Sequence, residues 1–227
     1  MKINLKCLLA IGATSALIGS AYATPTLTIS DGVNTVSVTD NSAGDANSAA
    51  GQVTWIGGLD NWTLNVDTGT TYPAIGTLVF PALDLSFNAV SNGVGGTLWI
   101  SFSESGFGPS SGVTNVATGG TVMGAGSVTF NTYGGNSNAL FDTTNWLSSV
   151  GPFAGPAFSD SILGGTINSA GPYSLTEVIK ITSAGASAIT GDASLSVPDA
   201  GTTVMLLGAG LMALGLVGSR RKRALAS

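Results

Sequence analysis

Histidine is absent from this chain, and its single cysteine, Cys7, stands close to the start. Without imidazole, and with no thiol beyond position 7, neither a Ser-His-Asp nor a Cys-His catalytic arrangement can be assembled. Zinc sites that depend on those ligands are excluded with them. No disulfide can close within the chain, so stability has to come from packing and strand pairing. Charge is scarce too: Asp, Glu, Lys and Arg together make up 8% of the 227 residues. Of the seven cations only Lys180 falls within residues 24–197, whereas of the twelve acids only Asp199 falls outside it, which leaves that stretch with a formal charge of about −10. A phosphate backbone is held by Lys and Arg, so nucleic-acid binding is excluded for this part of the chain, and anionic lipid is repelled.

What is abundant is glycine, 33 residues of it, with Ser, Thr and Asn supplying the polarity. Two apolar stretches lie at the ends. Residues 1–23 read as a secretory signal: Lys2 and Lys6 form a positive start, residues 7–18 an apolar run, and Ala21-Tyr22-Ala23 a small-x-small cleavage site, with cleavage expected before Thr24. The apolar run is shorter than the ~20 residues a membrane span needs. Cys7 precedes most of that run, which is the wrong place for a lipoprotein cysteine, and it leaves with the signal. Near the other end, residues 202–219 carry no charge and stop at Arg220-Arg221-Lys222-Arg223. At ~1.5 Å per residue such a helix reaches about 27 Å, just under the ~30 Å hydrocarbon core, and the basic cluster belongs on the cytoplasmic side. Signal and tail therefore agree in placing the body outside. Gly201, Gly208 and Gly215 recur every seven residues and would line one helix face.

Immediately before this span stands Val197-Pro198-Asp199-Ala200-Gly201. Proline holds an extended entry without an amide donor, Asp suits the positive end of a helix, and Gly keeps the backbone accessible. The order of short motif, weak apolar span, basic cluster and nearby C-terminus, over residues 198–223, resembles the PEP-CTERM class of sorting tails. It is most similar to the VPDSG-CTERM variant, with Ala200 in place of that pattern's Ser. The resemblance, carried by the matching residues Val197, Pro198, Asp199 and Gly201, implies that an exosortase, a membrane-embedded cysteine transpeptidase-like enzyme, recognises the tail and cleaves near Pro198 to Gly201. It also implies delivery to the cell surface or an exopolysaccharide-rich matrix. The expected partners are thus signal peptidase, exosortase, the membrane through the tail helix, and exopolysaccharide; a helix retained as a permanent anchor is the alternative.

Between the ends, short runs of alternating apolar and polar residues separated by Gly, Asn, Asp and Ser turns predict strands rather than helices. Residues 27–30 and 36–39 flank Asp31-Gly32 as a hairpin. A second hairpin is predicted from residues 83–87 and 98–102 around Gly93-Val94. Further strands are expected at 52–56, 62–66, 77–80, 121–130, 173–182 and 194–197, with 136–156 left as a long loop or one short helix. This spacing predicts an all-β, antiparallel β-sandwich or jelly-roll body over 24–182, with 183–197 as a Ser/Ala/Gly spacer to the tail.

Few residues offer chemistry. Gly119-Gly120-Thr121 to Gly126 lacks the Lys and following helix of a phosphate loop, so it reads as a turn. Two carboxylates suffice for a glycosidase, and the second hairpin would bring Asp84 and Glu104 together at its open end; solvated acids at strand ends have the same signature. Asp40, Asn41 and Asp45 share a polar loop that could offer oxygen ligands to calcium, although their spacing matches no defined loop. No other cofactor is expected. Trp55, Trp62, Trp99 and Trp146 raise sugar stacking, and Trp99 falls on the solvent parity of its strand unless a second sheet covers it. The reading is a non-enzymatic exported surface or matrix protein, with a carbohydrate-binding module as the alternative and an acid-pair glycoside hydrolase behind both.

Overall fold

The computed structural model describes residues 24–198 together with Leu211 and Met212. Residues 24–198 are all-β and every strand pair is antiparallel. The strands are β1 (Thr26–Ser30), β2 (Thr35–Thr39), β3 (Gln52–Leu59), β4 (Trp62–Thr70), β5 (Ala82–Asn92), β6 (Gly96–Phe107), β7 (Ser110–Gly135), β8 (Asn145–Phe153), β9 (Phe158–Ser169) and β10 (Tyr173–Ser196). They form one sheet that folds over into two layers. The first layer runs β2-β1-β6, then residues 173–183 of β10, residues 126–135 of β7, and β8. The second runs β3-β4-β5, then residues 186–196 of β10, residues 110–124 of β7, and β9.

Glycine makes the fold-over possible. Beside β10 the ladder with β7 breaks between Ser183 and Ser187. Gly124 of β7 has φ +83° there, and Gly93, Gly95 and Gly96 between β5 and β6 have φ from +80° to +129°. A Cβ on Gly95 would run into the Ser183 carbonyl, and one on Gly124 into the Ala186 carbonyl. Adjacent strands thus turn the same corner at neighbouring positions, as in sandwiches whose strands pass from one sheet to the other through bends.

The core lies between the layers. Along β5 burial alternates strictly, with Leu83, Leu85, Phe87 and Ala89 inward. Phe87 meets Phe130 of the first layer at 6.2 Å between ring centroids, and Gly69 of β4 leaves room for the Phe102 ring of β6. At the β8–β9 corner, Phe153 and Phe158 stack at 4.5 Å.

The expected all-β antiparallel body is present, and the Asp31-Gly32 hairpin joins β1 to β2 as read. Several local expectations are corrected. β5 and β6 do not pair as a hairpin; each lies beside β10, in a different layer, because the glycines between them turn the corner instead of reversing the chain. Residues 183–197 are not a spacer: β10 continues to Ser196 between β5 and β7, and Gly191, whose Cβ would strike the ring of Phe87, its register partner on the neighbouring strand β5, fits where that large side chain needs the room. Residues 77–80 form turns rather than a strand, with Thr77 and Phe80 bonded to each other. Residues 136–156 contain β8 and no helix, and β9 was not foreseen because its Ser- and Gly-rich sequence alternates weakly. The signal peptide with its cleavage residues Ala21 and Ala23, and residues 199–227 apart from Leu211 and Met212, lie outside the described residues. Among the described residues no helix is long and apolar enough to cross a membrane.

Candidate functional site

Strand alternation builds a distinctive surface on the outer side of the first layer. On β6, Leu98, Ile100 and Phe102 are buried, so Thr97, Trp99 and Ser101 point the other way. On β10, Ile179 and Ile181 are buried and Val178 and Lys180 face outward. On β7, Val128 and Phe130 are buried while Thr129, Asn131 and Tyr133 alternate with them. A register shift in the β7–β8 ladder then places Trp146 directly opposite Tyr133 and leaves Leu147 in the core.

The register fixes how these groups are laid out. Lys180 stands opposite Trp99 on one side and Thr129 on the other. Tyr133 lies four residues further along β7, about 14 Å at ~3.4 Å per residue. Asn131 and Ser149, also paired, occupy the ground between. Trp146 is 60% exposed, while Trp99 is half-buried with its ring against the β1–β2 turn at Gly32. Of the other tryptophans, Trp62 is in the core and Trp55 packs against it.

The acids are placed elsewhere. Asp67, Glu104 and Glu177 are buried, and Asp84, Asp160 and Asp192 belong to second-layer strands. Asp31, Asp40, Asp45, Asp60 and Asp142 lie in turns and loops. The outward positions of the first-layer strands therefore carry no carboxylate and one cation, Lys180, which makes no ion pair among the described residues.

The other sequence-derived candidates fare differently. Asp84 pairs with Ser194 and Thr70 in the second layer, whereas Glu104 pairs with Leu175 in the first and faces the core. They are linked only indirectly: Thr71, next to Thr70, donates a 2.5 Å hydrogen bond to Glu104. Burial pushes Glu104 up to about 7 and Asp84 up to about 6, with Asp192 adding to the latter. The hairpin that was to bring these two acids to a common open end does not exist. In the loop after β2, the oxygens of Asp40 and Asp45 are engaged by the chain itself. Asp40 accepts from Gly51 N and Asn41 Nδ2. Asp45 accepts from the amides of Asn41, Asn47 and Thr54 at 2.8–2.9 Å. Among the described residues no group of three His, Cys, Asp or Glu is placed to hold a metal ion. Of the sorting motif, Val197 is buried and its amide donates to the Pro81 carbonyl at 3.0 Å, while Pro198 is exposed; Asp199, Gly201 and the Arg220, Arg221, Lys222, Arg223 cluster lie outside the described residues.

Of these groups, Trp99 and Trp146 are among the tryptophans that raise sugar stacking in the sequence, with only Trp99 given a face there, and Tyr133 is not among the candidates. Trp146 went unassigned because its strand was not recognised, and Lys180 was counted as a charge without being placed. Being the lone cation of the body was its signal.

No family model matches this chain. No curated protein matches it either. Among solved structures it is similar to one described as TmCBM61 in complex with β-1,4-galactotriose, at 9% sequence identity and a TM-score of 0.33, over 68% of this chain and 92% of the other.

Proposed function

We propose that this chain is a non-catalytic, exported surface or matrix protein whose β body binds polysaccharide through the outer face of its first layer. The observation that carries the reading is the placement of Trp146 and Tyr133 side by side, on the same face as Trp99 and away from the core. Large aromatic rings left at a solvent face have a cost unless something covers them, and a sugar ring offers both an apolar face to stack on and hydroxyls for the surrounding Ser, Thr and Asn side chains. Groups spread about 14 Å along an outer sheet face suit an extended polymer better than a small molecule, which would need a concave pocket. The core position of Glu104 in the first layer, with Asp84 on a strand of the second, argues against the acid-pair hydrolase.

Export and sorting rest on the sequence of the two ends: a signal with cleavage before Thr24, and a PEP-CTERM-like tail that an exosortase would recognise. In that scheme the tail delivers the body and the aromatic face engages the surrounding matrix.

Tryptophan fluorescence titrated with a panel of soluble polysaccharides tests the binding. Quenching that saturates, and that weakens at least tenfold in Trp146→Ala while the melting temperature is kept, supports the proposal; a flat response to every polymer overturns it. Mass spectrometry of both mature termini in fractionated cells tests export, and an intact chain in the cytoplasm would refute it.

A further inference from the structure

Resting on that reading of the face, we infer that its preferred ligand is an anionic polysaccharide, one carrying carboxylates on its sugar rings, with Lys180 as the group that recognises the acid. A chain with a body near −10 is an unexpected partner for an anionic polymer, and the distribution of charge resolves the conflict. The outward strand positions of the first layer hold no carboxylate, and the body's single cation stands among them, opposite Trp99. Lys180 is exposed and has no ion-pair partner among the described residues, so its charge is available to a ligand. At the rim, Asp31 is turned to its own loop, accepting from the amides of Val33 and Asn34, and Asp142 is held by Ser137 and Thr144.

The juxtaposition has a direct chemical reading. A ring lying over Trp99 would set its substituents beside the neighbouring strand, where the Lys180 ammonium supplies three donors. A carboxylate there gains a charge-assisted bond that a neutral hydroxymethyl group does not. The Tyr133–Trp146 pair, about 14 Å along the strand direction, then takes a later ring of the same polymer, with Asn131 and Ser149 between. Being exposed, the charge contribution is modest and sensitive to salt.

The test compares polymers that differ only in the carboxylate: polygalacturonate and alginate, each against its methyl ester, titrated into the purified protein at low and at 0.3 M salt. The expected result is tighter binding of an acid form by about fivefold, an advantage that disappears in high salt and in Lys180→Gln, with the melting temperature of the variant checked. Equal binding of acid and ester forms, or a preference untouched by Lys180→Gln, overturns this inference and leaves polysaccharide binding standing. Binding of no polymer in this or the wider panel overturns both.

Discussion

Glu177 stands in register with Phe102 on the core side of β10, and neither of its carboxyl oxygens has a hydrogen-bond partner. Burial, then Asp84 and Asp192, hold it well above the usual carboxylate range. Ionising such a group in the core is costly, so it stays protonated.

The pH dependence of stability follows. Burial also pushes Asp67 up to about 7 and raises Asp192, alongside Glu104 at about 7 and Asp84 at about 6. A carboxyl raised by folding contributes stability that is complete below its unfolded value and is lost as pH rises through the folded one. Asp142, lowered to about 2 by bonds from Ser137 and Thr144, acts oppositely and loses its contribution only as pH falls toward that value. Calorimetry should therefore find the highest melting temperature near pH 4 to 5, falling by several degrees toward pH 8. Glu177→Gln should flatten that fall; a melting temperature that rises from pH 5 to 8 would contradict the assignment.

The extent of β10 makes a second prediction. A chain ending at residue 182 loses the strand between β5 and the first half of β7 and should not fold. One ending at Pro198 retains Val197 in the core, bonded to Pro81, and should melt like the longer chain. Equal folding of both, by circular dichroism, would restore the spacer reading.

Gly69 faces the Phe102 ring with no room for a Cβ. Gly69→Ala should cost about 1–3 kcal/mol through overpacking, and Phe102→Leu should recover part of that loss in the double variant. Additive losses in a denaturation cycle would show that the two positions are not coupled.

Asp45 accepts three backbone amides. Asp45→Ala leaves donors of a part-buried loop unsatisfied and should cost about 1–3 kcal/mol. Because these oxygens already serve the chain, millimolar calcium should leave the melting temperature unchanged; an upward shift that disappears in Asp45→Ala would make the loop a calcium site.

Much of the body could be read without coordinates where one local cause dominates. β5 alternates from Leu83 to Ala89 because one face is buried and the other is not, and the Asp31-Gly32 turn reverses the chain because Gly32 reaches φ +91°. Those features depend on neighbours in sequence. The candidate site was legible only as far as Trp99, whose outward parity follows from Leu98 and Ile100 being apolar.

What the amino-acid order determined by itself is composition-bound: no imidazole, no disulfide, alternating strands, and an acidic body with one cation. Only the tertiary structure decided that Gly93, Gly95 and Gly96 turn a corner between layers rather than close a hairpin, since that depends on the Ser183 carbonyl lying against Gly95. It likewise decided that the Gly- and Ser-rich run 183–196 is a central strand, because tight packing against Phe87 and pairing on both edges override weak intrinsic propensity. Whether Trp99, Lys180, Tyr133 and Trp146 share a face is a matter of register between strands distant in sequence, and register is set by the pairing of the whole sheet, not by any one segment.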